Sequence, residues 1–498
     1  MERADQFRRH FMKSVLGVAA AQGLGIPAFA QSGPRIRMEW QQFKTTAQYK
    51  SFLNAIAAMR KNTKASSPNS LQYWANVHVN YCPHGSPYFL SWHRGYLYYF
   101  EQQLRTVSGD PTLNLPYWDY YSYSAMPAEF TDSSAGNPLY LSRPGSNVYN
   151  ALTLGPFAPD VYNFQRGTTD AFEVRIETAP HNPVHDLIGG IMSTMQSPLD
   201  PIFYLHHANI DRLTHAWALP DGKGIPDSAN PYSSTNSSPY WAGDNTYSSK
   251  LTMARYLTLI PTWLGYDYAN DAVPTALPPL AVTAQASGFR LPAGLRLPSP
   301  QRPPARPYER LPRRMVSPTR RSLGGAARLA FDETSFSTLV DFDRKDAVEL
   351  AALVARRRAG LPREDDKAPA SAKLVLDGPA LTEAGSRGGY FYALYLNMPP
   401  VLDSNAAHDR TFLGTLGAFQ IASASHHGPA RLEYDLADLL VKQGGTEFPG
   451  LALSWVRVDG DNPPHGRTIG VHEARVELSF ESEPVEPPRL KGRPGFYS

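Results

Sequence analysis

Cysteine is almost missing: Cys82 is the one thiol in 498 residues. That excludes an intrachain disulfide framework and any metal site built mainly on thiolates. Long apolar runs are missing too, since the apolar stretch within residues 1–30 is too brief to cross a bilayer as a permanent helix. No integral membrane segment is expected once that stretch is removed. Net positive charge is small, at +3, and it is local: between Arg290 and Ala330 stand ten Arg against one acid, Glu309. The remainder of the chain is net negative. A nucleic-acid-binding domain would place its basic residues on a folded element with aromatics between them, whereas these lie in a Pro-rich stretch, so no nucleic-acid partner is expected. Internal repeats are absent, and the length predicts two domains with connectors.

What is present begins with an address. In "FRRHFMKSVLGVAAAQGLGIPAFAQ" a pair of arginines, Arg8 and Arg9, precedes a short apolar run and the small-residue pattern Ala28-Phe29-Ala30. Residues 1–30 therefore resemble a twin-arginine signal peptide, which implies a periplasmic or secreted protein exported already folded.

Residues 31–277 are rich in aromatics and carry eight of the fourteen histidines. "QYKSFLNAIAAMRKN" repeats apolar residues at Tyr49, Phe52, Ile56 and Met59, and "GYLYYFEQQLRTV" does so at Leu97, Phe100 and Leu104. Spacings of three and four predict helices, so this half is expected to be mainly α. Residues 278–336 turn Pro- and Arg-rich with little apolar periodicity and are expected to be an extended linker. In residues 337–498, "GGYFYALYLNMPP", "RTFLGTLGAFQIASAS", "LALSWVRVDG" and "EARVELSFES" are short apolar or alternating runs punctuated by Gly, Pro and Asp. They predict an all-β sandwich, with the charged "RRRAGLPREDDK" as a loop within it.

The chemistry lies in two histidine groups, His78, His84 and His93, then His181, His185, His206 and His207. His181 and His185 stand at i and i+4, which on a helix puts both imidazoles on one face. Few carboxylates or thiols interleave with them, and imidazole-only coordination suits copper, zinc and sometimes iron.

Four segments in order, "CPHGSPYFLSWHRGYLYYFE", "LPYWDY", "PHNPVHDLIGG" and "SPLDPIFYLHHANIDRL", with "GYDY" at 265–268, resemble the tyrosinase, catechol oxidase and haemocyanin family of binuclear copper proteins. The resemblance implies a four-helix-bundle copper core, two copper ions, and O2 as co-substrate. Carried over by position, His78, His84 and His93 would hold copper A, and His181, His185 and His207 copper B. His206 would pack beside the site, and Cys82, two residues before His84, would be joined to its ring by a thioether. Glu177 and Asn182 take positions where the family holds a water able to accept a phenol's proton. Thr194 stands where members restricted to diphenols often carry a bulky Phe, and predicts an open entrance. Asp211, one turn after His207, would steady the ligands from behind. The runs "GGYFYALYLNMPP" and "RTFLGTLGAF" resemble the β-domain that covers the copper site in plant polyphenol oxidases, with an exposed, protease-sensitive connector ahead of it.

The implied activity is O2-dependent ortho-hydroxylation of small phenolic substrates and oxidation of o-diphenols to o-quinones. A catechol oxidase acting on diphenols alone, a haemocyanin-like oxygen carrier and a zinc hydrolase are the rivals, separable by copper content and by turnover of a diphenol.

Overall fold

A computed structural model describes residues 33–168, 170–218, 240–279, 301–363, 366–402, 404–426 and 428–481. The segment read as an export signal lies outside them. Helix α1 (Gln48–Lys61) buries Phe52, Ala55, Ile56 and Met59, as its periodicity predicts. Helix α2 (Leu71–Tyr81) starts where the Ser70 side chain accepts from the Gln72 N–H, satisfying a donor that the first turn leaves open. It stops at Cys82 because Pro83 follows: a residue before proline is pushed out of the helical region, and Cys82 is extended (φ −71°, ψ 129°). Helix α3 (Phe89–Ser108) ends at Gly109 in the left-handed conformation.

Beyond Phe172–Ile176 the chain passes a wide turn, Glu177–His181, in which Ala179 is extended and Pro180 interrupts the helix. Helix α4 (Asn182–Ile188) follows directly. Helix α5 (Ile202–Ala218) is buried along its whole length. Its first turn is capped by Asp200, whose Oδ1 accepts from the Ile202 N–H at 3.1 Å. Behind α3 and α5, Arg35–Arg37 pairs in parallel with Tyr266–Tyr268. The two tyrosine hydroxyls each donate to Asp211 Oδ2 at 2.6 Å, tying the ends of this half to α5.

The C-terminal half contains two antiparallel sheets. Strands β1 (Arg320–Phe331), β3 (Ser371–Leu381), β6 (Arg431–Asp435) and β8 (Ile469–Ser479) lie in one, in the order β6-β3-β8-β1, extended by Glu309–Leu311 and Arg314–Ser317 against β1. Strands β2 (Phe336–Asp341), β4 (Tyr390–Leu396), β5 (Phe412–Gly417) and β7 (Gly450–Asp459) form the other, in the order β5-β4-β7-β2. The facing surfaces bury Leu374, Leu376, Val476 and Leu478 against Tyr390, Tyr392, Leu394 and Trp455, which is the sandwich expected. Four helices are added: Asn405–Thr411, α6 (Arg344–Arg358), α7 (Ala418–Ser425) and α8 (Ala437–Gln443).

Two expectations need correction. Residues 278–336 are not a linker throughout, because 309–331 carry three strands of the larger sheet. A search for apolar periodicity misses them, since "RRSLGGAARLAF" packs small residues inward. Its arginines are neutralised by neighbouring acids: Arg314 by Glu473 at 2.6 Å and Arg320 by Glu433 at 3.5 Å across strands, and Arg321 by Glu349 of α6. The charged "RRRAGLPREDDK" is only partly a loop. Arg356, Arg357 and Arg358 form the last turn of α6, where positive charge favours the helix C-terminus.

Strand β4 joins the halves. Tyr390, Tyr392, Leu394 and Leu396 point into the sandwich, while the alternate residues Phe391, Ala393 and Tyr395 belong to the core of the helical half.

Candidate metal centre

Helix α2 supplies His78, the loop after Pro83 supplies His84, and α3 supplies His93. Their ring centroids lie 5.0 to 5.8 Å apart, with Cys82 among them. Facing them, His181 enters from the turn before α4, His185 from α4 and His207 from α5. His207 Nε2 lies 3.4 Å from His181 Nε2 and 3.3 Å from His185 Nε2. The two triads abut: His93 stacks on His207 with centroids 4.3 Å apart, and His84 on His181 at 5.6 Å.

Four of these rings are turned by their other nitrogen. His78 Nδ1 meets the Met195 carbonyl at 2.8 Å, His93 Nδ1 that of Phe89 at 2.8 Å, His185 Nδ1 that of Met192 at 2.8 Å, and His181 Nδ1 meets Asn182 Oδ1 at 2.9 Å. All four partners are acceptors, so Nδ1 carries the proton and Nε2 presents a bare lone pair. Burial, with repulsion from neighbouring imidazoles, holds these rings neutral. It lowers His78 to about 4 and His185 to about 3, and drives His93, His181 and His207 well down. Neutral imidazole is the form that binds a metal. The Nε2 lone pairs at site B aim at one another, and His78 Nε2 is buried without a partner. Imidazole nitrogens about 2.0–2.1 Å from a shared ion stand about 3.3–3.6 Å apart, so the site B spacing fits one cation there. His206 lies within this group, its ring stacked on His181 at 5.3 Å.

Cys82 Sγ lies 3.2 Å from His84 Nδ1, 3.7 Å from His84 Nε2 and 3.4 Å from His93 Nε2. Glu177 is buried next to site A: its Oε1 accepts from the Gly85 N–H at 2.7 Å, and its Oε2 pairs with Arg166. Burial raises its carboxyl and Arg166 opposes the shift. Asn182 is given to His181.

Asp211 acts on the elements behind the site. Its carboxylate is taken up by Arg94 Nε at 2.5 Å, Arg37 at 3.5 Å and the two tyrosines rather than by an imidazole. Despite burial, the two guanidiniums hold it below the usual carboxylate range. It fixes α5 against α3 and the pair of closing strands, because a residue one turn beyond His207 has already left the level of the site.

Comparison with known proteins bears on this arrangement. Residues 50–160 and 141–219 match the model of the common central domain of tyrosinase. These residues are similar to the central domain of the tyrosinase family. They include both triads, which suit a pair of copper ions, copper A and copper B. A tyrosinase of Hahella sp. (strain CCB-MM4) is 32% identical over 213 residues, covering 32% of this chain and 46% of that protein. The latent chloroplastic polyphenol oxidase of Prunus armeniaca is 29% identical over 230 residues, covering 34% and 38%. The chain spans less than half the length of each. Among solved structures the latent apple tyrosinase aligns with 91% of this chain and 99% of its own at a TM-score of 0.49 and 18% identity.

The paired histidine site is roofed by a residue from the C-terminal half. Phe419, at the start of α7, stacks on His185 with centroids 3.9 Å apart and planes 9° from parallel, and stands edge-on to His84 at 5.0 Å. Its backbone N–H donates to Asp186 Oδ1 at 2.8 Å. Helix α7 has no cap of its own, so Asp186, next to His185, caps it from the other half of the molecule. Burial pushes the Asp186 carboxyl up to about 8, against the N–H groups of Phe419 and Ala418. A Cβ at Gly417 would overlap that carboxylate, so the approach requires glycine.

Thr194 is half-buried. Its hydroxyl is spent in its own turn, on the Ile191 carbonyl at 2.9 Å and the Gln196 N–H at 3.1 Å, and the ring over the imidazoles is Phe419. Sequence reasoning missed Phe419, Asp186 and Arg166. Asp186 had a signal, an acid beside a ligand in "PVHDLIGG", while Phe419 and Arg166 meet the site only through the tertiary fold.

Proposed function

We propose that the chain is a latent polyphenol oxidase, which oxidises o-diphenols to o-quinones and hydroxylates monophenols with O2. The observation that carries this reading is an aromatic ring, Phe419, lying flat on His185 between two abutting imidazole triads, the place a phenol ring would take. Copper held by the triads supplies dioxygen activation and accepts the phenol's electrons.

The chain's own groups do the rest. His78, His93, His181 and His185 keep their protons on Nδ1, so four of the six imidazoles are set for the metal before it arrives. Glu177, ionised through Arg166 and anchored on the Gly85 N–H beside His84, is the acceptor for the phenol's proton. Cys82 and His84 are placed for a thioether that would fix the ring lacking a carbonyl partner. Apolar walls from Phe89 and Phe203 exclude water around the imidazoles. The C-terminal half acts as the lid. Residues 1–30 address the enzyme to the periplasm or beyond, and Arg8→Lys with Arg9→Lys should leave it in the cytoplasm.

The test is oxygen uptake by copper-loaded protein on a matched monophenol and o-diphenol. Glu177→Gln is expected to lower monophenol turnover about 100-fold and diphenol turnover far less. Equal losses would leave Glu177 a structural residue and favour a diphenol-only oxidase. The Phe419 roof also suits an oxygen carrier, because O2 is smaller than a phenol. Two coppers with reversible O2 binding and no diphenol turnover after the roof is removed would establish that second reading.

A further inference from the structure

We propose that the loop of residues 190–196 is a yoke that positions one ligand of each copper ion, with Thr194 as the positioning residue that holds it. This rests on the binuclear copper reading above.

His78 on α2 and His185 on α4 come from distant parts of the chain, yet their Nδ1 atoms are held by carbonyls three residues apart, those of Met195 and Met192, each at 2.8 Å. His93, His181 and His84 take their partners from Phe89, Asn182 and Cys82, each within four residues of the ring it turns. The loop alone therefore reaches both centres.

Its shape is set at Thr194. The Thr194 N–H donates to the Ile191 carbonyl at 3.1 Å, its hydroxyl donates to the same carbonyl at 2.9 Å, and the hydroxyl oxygen accepts from the Gln196 N–H at 3.1 Å. Ile191 and Gln196 flank the stretch from Met192 to Met195, so one side chain fixes the separation of the two carbonyls. From outside, the C-terminal half seats on the loop at Gly388 (φ +69°), where a Cβ would overlap Ser193 Oγ.

An N–H···O=C bond at Nδ1 fixes both the tautomer and the plane of a ligating imidazole. If the yoke slackens, His78 and His185 lose that restraint together, so retention of the two ions is linked.

The experiment challenges the full-length copper-loaded protein with excess chelator and follows copper per chain over time, in wild type, Thr194→Val and Thr194→Ser. Thermal unfolding of the copper-free proteins is measured alongside. Wild type should start with two ions. Valine keeps the side-chain shape and removes the hydroxyl bonds. It is expected to release both ions about ten-fold faster in a single phase, with the copper-free unfolding temperature unmoved. Serine should restore the wild-type rate. Faster loss of one ion alone, unchanged rates, failure of serine to restore them, or a copper loss that merely follows a lowered unfolding temperature would each overturn the yoke. A change in KM with copper retention unaltered would return Thr194 to the entrance. Wild-type protein that holds fewer than two ions would overturn the binuclear reading and this one with it.

Discussion

Cys82 owes its place to Pro83, which ends α2 and turns the thiol toward His84. With no second cysteine to pair with, and with the sulfur within 3.2 and 3.7 Å of the two nitrogens that flank one ring carbon, a thioether is the expected product. Its formation removes the S–H and one ring C–H hydrogen and passes two electrons to O2. Protein loaded with copper in air and then stripped should be lighter by those two hydrogens, and should resist alkylation after denaturation. A fully alkylated Cys82 in active protein would refute it. Glu173 offers a separate check. Buried, and accepting from Tyr240 at 2.7 Å, it is raised from 4.5 to about 6, burial being the larger cause. A carboxyl raised in the folded state favours folding fully below its unfolded pKa, and that contribution is lost as pH rises through the folded value. Between pH 4.5 and 7, wild type is expected to lose roughly 2 kcal/mol relative to Glu173→Gln in denaturant unfolding. Parallel stability curves for the two proteins would contradict this. At this scale the sequence was most legible, because six imidazoles and one thiol carry their chemistry in their identities. It was least so for Phe419 and Arg166, which reach the site only through the tertiary fold.

At the scale of elements, α7 is the part that closes the site. It brings Phe419 to the imidazoles and is capped only by Asp186. With its carboxyl pushed up to about 8, Asp186 is mostly neutral at pH 7, and a neutral hydrogen bond contributes about 0.5–1.5 kcal/mol. Asp186→Ala should therefore raise the fraction of open molecules about two- to ten-fold, read as diphenol turnover without any activator and with copper content unchanged. Intact copper with unaltered turnover would show that α7 is held elsewhere. Helices α1 and α3 were readable because each buries one face, giving spacings of three and four. Strand β4 was readable as an apolar run, and its lack of alternation is explained by the two cores it divides. The strands at 309–331 were hidden because arginines and small residues imitate a linker.

In the whole molecule, the two halves are joined along β4, at Gly388 against the 190–196 loop, at Asp186 against α7, and at Asp461, whose Oδ2 accepts from the Ser146 N–H at 2.6 Å. Arg310 to Arg321, expected as an exposed cutting site, lies in or beside strands of the larger sheet. Removal of the whole C-terminal half would take Phe391, Ala393 and Tyr395 out of the helical core and strip its apolar cover. Displacement of α7 alone would uncover His185 and leave the rest of that cover in place. No described helix is long and apolar enough to cross a membrane.

The central claim is that two coppers serve an oxidase closed by one aromatic ring, and Phe419→Ala tests it most directly. The measurement is catechol-dependent oxygen uptake per copper pair, in the variant against wild type, at equal copper loading. The account expects two coppers per chain in both proteins and uptake at least about ten-fold higher in the variant. Two coppers in both with no uptake in either, or equal uptake in the two, would contradict it.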